Sequence, residues 1–176
     1  MSTRQQGLTL IELMVTLAVA IILLAVGLPF FGGIVANNRA VVQANGLLTS
    51  FKLARSEAVK RSSFVAVAPT SVSVGWEAGW QVFQESNVPG EANFGVQQDA
   101  VAEPTLRSWD VLDATVNGAP AFVAFESTGE ATAAADIALV QDTETGARSH
   151  CLSVGVSGLV RMEPYRPEAP SNETCP

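Results

Sequence analysis

Nineteen consecutive residues, Leu13 to Phe31, carry no charge, and the residue just before them is a glutamate, Glu12. Wound as a helix, the run is about the length that crosses the ~30 Å apolar core of a bilayer. Such a segment needs lipid or partner helices around it, and this requirement limits every fold the chain can adopt. The chain has 176 residues, so one domain with an appendage is the expected organisation, and the residues beyond the run can bury one modest core.

Charge divides the chain the same way. Residues 1–61 carry six Lys/Arg and two Glu, a balance of +4, whereas residues 62–176 carry four Arg against fifteen Asp/Glu, a balance of −11. A carboxyl-terminal part this acidic is not expected to bind nucleic acid through broad electrostatics. The two cysteines, Cys151 and Cys175, read as one disulfide in an exported chain, the alternative being two unrelated free thiols.

Three readings compete for the amino terminus. A secretory signal has a shorter apolar core followed by a small-residue cleavage site, and here Gly-Leu-Pro-Phe-Phe follows instead. An ordinary single-pass anchor fits the length but leaves Glu12 unexplained, since an acidic group at mid-membrane costs on the order of 2.5–3.5 kcal/mol. The stretch "GLTLIEL" (Gly7–Leu13) accounts for both. It resembles the prepilin cleavage motif of type IV pilins and secretion pseudopilins.

That resemblance implies a leader of residues 1–7, cut after Gly7 on the cytoplasmic side by a prepilin peptidase. Leu8 would then be the N-methylated first residue, where the family usually has Phe. The new amine would lie one helical turn from Glu12, so the two charges can approach each other, or the carboxylate can meet the amine of a neighbouring subunit. The first turn of a helix also favours negative charge. Glu12 therefore reads as an assembly residue; the plainer alternative is an acid at the headgroup boundary. Pro29, helped by Gly27, is expected to kink the helix by removing a hydrogen bond.

From residue 34 to 62 the pattern becomes amphipathic. Val41, Ala44, Leu48, Phe51 and Ala58 recur near helical spacing, flanked by Leu47 and Ala54. With the hydrophobic transmembrane and assembly segment, 8–33, this predicts one helix of some fifty residues. "LARSEAVKR" (Leu53–Arg61) is similar to the end of this helix in the FimT/FimU/GspH family of minor pilins and pseudopilins. Its charges, Arg55 among them, are expected to do ordinary surface work.

The remaining region, 63–176, is expected to be β-rich and to face the periplasm or the fibre surface. Phe64–Ala68, Ser71–Val74, Trp80–Phe83 and part of Ala121–Ala131 read as strands, with Asp136–Asp142 pairing after the last of these. Ser149–Met162 reads as a hairpin turning at Val156–Gly158. Gln84–Pro104 lacks periodicity and reads as a surface loop or hairpin excursion. "GWEAGWQVF" (Gly75–Phe83) resembles the Trp-rich first hairpin of the same family, and its tryptophans are expected in the core. The fold class is thus α+β and pilin-like: a long helix whose second half packs on an antiparallel sheet domain, with the other sheet face left to solvent or partners.

No catalytic, cofactor-binding or metal-ligating constellation is evident. His150 is the only histidine, and it stands beside a cysteine of the expected disulfide. The chain reads as a non-enzyme that is itself a substrate of the peptidase. The resemblance implies a minor pilin of a type IV pilus, initiating the filament or near its tip, with its β-domain on the fibre surface or near the tip. Its partners would be other pilins, the prepilin peptidase, the inner-membrane assembly platform and the inner membrane. A type II secretion pseudopilin is the alternative. A DNA-binding pilin is a remoter one: such members look like they carry a carboxyl-terminal Gly-Arg-x-Arg, of which Gly158-Leu159-Val160-Arg161 keeps only the second arginine.

Overall fold

A computed structural model describes residues 9–97, 103–110, 112, 114–141, 148–165 and 175, leaving aside the side chains of 26–31 and 165. A single 52-residue helix, α1, spans Leu10–Arg61. Within it, Ala40, Ala44, Leu47, Phe51, Ala54 and Ala58 are buried. Their spacing alternates between four and three, which keeps one stripe facing one way. The sequence reading centred that stripe on Val41 and Leu48; both are only partly buried, and Leu47 and Ala54 hold the centre instead. Small residues dominate the stripe, so the helix lies close to the sheets.

The helix stops at Ser62, which adopts a left-handed conformation (φ 51°) and donates its N–H to the carbonyls of Ala58 and Val59. Lys60 and Arg61 fill the last turn, where the helix dipole favours cations. Both reach Glu57, at 3.3 Å and 2.6 Å. Arg61 and then Lys60 hold the Glu57 carboxyl below its usual range.

Two four-stranded antiparallel sheets complete the domain. The first has the order β3-β2-β1-β5 and the second β4-β6-β7-β8. The first is built from β1 (Val65–Pro69), β2 (Trp80–Gln84), β3 (Thr105–Trp109) and β5 (Val123–Phe125). The second contains β4 (Thr115–Asn117), β6 (Ala135–Val140), β7 (Ser149–Val154) and β8 (Val160–Tyr165). Alternate residues of both sheets meet the helix stripe in one core: Val65, Val67, Val82 and Phe125 from the first, Ile137, Leu139, Leu152 and Val154 from the second. Trp76 and Trp80 belong to that core, as the sequence suggested. Trp76 meets Phe51 edge-on at 6.2 Å, and Trp80 stacks on Trp109 at 5.7 Å.

Three expectations are corrected. Ser71–Val74 is a turn, not a strand. Pro69 pairs with Trp80, so residues 70–79 must reverse the chain, and Gly75 N–H closes on the Ser71 carbonyl at 2.9 Å. The alternating valines of that turn, Val72 and Val74, are exposed. Asp136–Asp142 does not pair with the strand before it: β5 pairs with β1, while β6 pairs with β4 and β7, so the chain changes sheets at the turn between them. Asp142 itself lies outside the described residues. Strands β3 and β4 were missed, because Thr105–Trp109 and Thr115–Asn117 are short and largely polar. The Val156–Gly158 turn of the last hairpin is as expected.

The described part of the segment from residue 84 to 104 has no helix or strand beyond Gln84, and Ser86 and Val88–Asn93 are exposed, as expected of a surface loop; it is nevertheless anchored on the first sheet. Phe94 packs with Phe64 and Phe122 over Ala66, Ala68, Phe83 and Ala124, and so covers the face of the first sheet that turns away from the helix. Buried Glu85 pins this cover by accepting from Asn87 N at 2.9 Å and from Gly95 N at 2.7 Å. Gly95 has φ +83°, and a Cβ there would run into the Phe122 ring, so only glycine fits. The corresponding face of the second sheet is covered in part by the disulfide: Cys151 and Cys175 are bonded, with Cα atoms 5.7 Å apart, beside Ala138 and Val140.

Candidate assembly surface

The amino-terminal end of α1 begins with a cap. The Thr9 hydroxyl accepts from Glu12 N at 3.3 Å, and Leu13 N–H reaches the Thr9 carbonyl. The first bond satisfies one of the otherwise unpaired amides at the helix start, and the second is the first regular bond of the helix. It also fixes Glu12 in the first turn, with its side chain exposed. Gly7 and Leu8 lie outside the described residues. Gly27 and Pro29 lie inside the continuous helix, but their side chains are also outside the description.

From Leu10 to Ala25 every side chain of the helix is exposed. Eleven large apolar side chains between Leu10 and Leu24 are 50–79 % exposed. They surround the axis: Leu13, Met14, Val15 and Leu23 alone point in four directions at 100° per residue. A helix that is apolar all round is stable in lipid or within a bundle of other helices, and exposed apolar surface on this scale marks an interaction site. Among the described residues no helix is long and apolar enough to cross a membrane. The described side chains cover Leu13–Ala25 of the nineteen-residue run and omit 26–31, which divides it. Glu12 is the only charged residue between Thr9 and Ala25. The surface can therefore offer one carboxylate, fixed at a helix start, within an apolar field.

The packed half of α1 carries a polar constellation that sequence reasoning missed. Arg55 is not a free surface charge. Its Nε donates to the Gly129 carbonyl at 2.8 Å and its Nη2 to the Ser157 carbonyl at 3.2 Å. These partners lie 74 and 102 residues away, so no local pattern could reveal them. Gly158 closes the arrangement: at φ +72° its Cβ would collide with the Gly129 carbonyl, so the two turns can meet only through glycine.

His150 sits buried on β7, and burial pushes its imidazole pKa down. Among the described residues no group of His, Cys, Asp and Glu could hold a metal ion.

A bare apolar helix half with a single carboxylate, continued by a half packed on antiparallel sheets, is a pilin-like α+β architecture. Residues 43–158 match the family described as Type II transport protein GspH, and residues 2–28 match the prokaryotic N-terminal methylation motif. The chain belongs to the GspH family. Two crystal structures of the Pseudomonas aeruginosa (strain PAO1) type IV minor pilin FimU are similar. The first, in space group P21, is 21 % identical over 72 % of this chain and 90 % of that one, with a TM-score of 0.52. The second, in space group P65, is 22 % identical over 69 % and 90 %, with a TM-score of 0.49. At this identity the first likeness speaks for the fold. No curated protein sequence matches the chain.

Proposed function

We propose that the chain is a minor pilin: a structural, non-enzymatic subunit of a type IV pilus, held in the inner membrane by residues 8–33 until it is drawn into the filament near its tip. The observation that carries this reading is the all-round apolar, exposed helix from Leu10 to Ala25 with Glu12 capped into its first turn. Such a surface is unfavourable in water and favourable among like helices. In a dry bundle the carboxylate needs a counter-charge, and the amine created by cleavage after Gly7 supplies one, on the same chain or on a neighbour. The methylation motif over residues 2–28 supports this processing. The domain, residues 34–176, would then lie in the periplasm and later on the fibre surface, against other pilins.

A second reading, a minor pseudopilin of a type II secretion system, is favoured by the family description itself. The two readings share the helix, the leader and the assembly logic. Intact-mass analysis of the membrane-extracted protein tests the part they share. The expected mass is that of a chain starting at Leu8 plus one methyl group. A chain still starting at residue 1 or 2 removes both readings.

A further inference from the structure

The far end of α1 carries a feature that anchoring does not use. Lys52, Arg55 and Val59 face Gly129 and the Gly158–Val160 turn across an open concavity of about 570 Å³. The carbonyls of Gly129 and Ser157 hold the Arg55 guanidinium in place without neutralising it. Lys52 lies one helical turn away, on the same face. Neither cation pairs with a carboxylate among the described residues, although the chain has 17 Asp/Glu against 10 Lys/Arg. The next two cations along the helix, Lys60 and Arg61, both hold Glu57. The rim is apolar, with Val59 and Leu159 about half exposed. A held guanidinium with an exposed ammonium beside it, inside an apolar rim, complements an anion carried on an apolar arm.

We propose that this concavity is a socket for a carboxylate side chain of a neighbouring subunit, with Arg55 giving the directional hydrogen bonds and Lys52 the second charge. The inference rests on the reading of the chain as a filament subunit. A polyanion is the poorer occupant. Residues 62–176 balance to −11, so an extended phosphate backbone would be repelled by the surroundings, while a single carboxylate meets only the two cations. The socket also lies some 40 Å along the helix from Ala25, at ~1.5 Å per residue, so it can hold a partner through contacts separate from those of the bare half.

The test uses the full chain in cells that assemble the filament, as wild type, Lys52→Glu, Lys52→Gln and, outside the socket, Lys60→Gln. The readout is the chain recovered in sheared fibres relative to the chain in the membrane. Lys52 is exposed and unpaired, so its variants should keep the wild-type thermal melt. Lys52→Glu is expected to lower incorporation about ten-fold, because it replaces attraction by repulsion, and Lys52→Gln to lower it less. Lys60→Gln should leave it unchanged. Normal incorporation of Lys52→Glu beside wild type overturns the socket and leaves the filament reading standing. Absence of wild-type chain from the fibres overturns both. Binding of a duplex DNA oligonucleotide that Lys52→Glu abolishes, with incorporation unchanged, also overturns the proposal by assigning the socket to nucleic acid.

Discussion

The two halves of one helix obey opposite rules. Between Leu10 and Leu24 large side chains project on every side and stay exposed; between Ala40 and Ala58 a narrow stripe, mostly alanine, is fully buried. The first half gains nothing from its own domain and depends on what surrounds it. The second half is the spine of the domain core. Continuous helical geometry therefore says little about how a segment is stabilised; side-chain size and the distribution of polar groups around the axis decide it.

The sharpest way to break this comparison is at Glu12. Glu12→Val makes the bare half uniformly apolar and should leave membrane insertion intact. It should nearly abolish incorporation into fibres, because a neighbour's amine loses its partner in a dry bundle. Blotting sheared fibres against whole membranes reads this directly, and normal incorporation would show that the carboxylate is not an assembly contact.

Next comes a pair of truncations, one in each half. Phe51→Ala removes a fully buried ring that contacts Trp76 and should destabilise the domain by about 3–5 kcal/mol. Leu17→Ala, on the bare half, should leave the domain unchanged. Thermal melts of the detergent-solubilised chain followed by tryptophan fluorescence separate the two. Equal effects would mean that the halves are not energetically distinct.

Smaller effects sharpen what holds the packed half together. The Cys151–Cys175 bond closes a segment with a sequence separation of 24. In the chain-entropy model Cys151→Ser should cost about 3–4 kcal/mol at most, and it should lower the melting temperature without changing the circular dichroism of the folded state. His150 should give the smallest effect. Burial depresses its folded pKa below the unfolded value of ~6.5. The unfolded chain therefore takes up the proton first, and the contribution of His150, complete above about pH 7, is lost as pH falls through ~6.5 towards the folded value. His150→Gln should flatten this part of the melting profile measured between pH 7 and pH 5. An unchanged slope would assign the acid sensitivity to other groups.

The anchor, the long helix, the core tryptophans, the last hairpin and the disulfide were legible in the sequence because each has a local signature: an uncharged run, a 3.6-residue period, aromatic residues within alternating strands, two cysteines. What was not legible depends on distant partners. Thr105–Trp109 becomes a strand because β2 offers it an edge, not because its residues strongly prefer one. Ser71–Val74 has strand-like residues but is forced to turn by the pairing of Pro69 with Trp80. The role of Arg55 depends on two carbonyls beyond residue 128, and helix spacing could only describe it as one more surface charge. Gly7, Leu8, Gly27 and Pro29 are conspicuous in the sequence, but the roles expected of them depend on molecules other than this chain.

The way the domain is fastened to its helix has a mechanical consequence. Ala40 to Ala58 are buried along one side of a continuous helix whose other end is exposed from Leu10 to Leu24. A pull on that end is delivered along the helix axis, across the packed stripe and not away from it. The alanines, Leu47 and Phe51 are then loaded together in shear, while the Arg55 bonds to the two turns act as a stop near the far end. Contacts loaded in parallel share the force, and forced rupture follows the height of the unfolding barrier more than equilibrium stability. The joint should therefore hold best against tension along the filament and yield most readily to a sideways pull that peels the sheets from the helix.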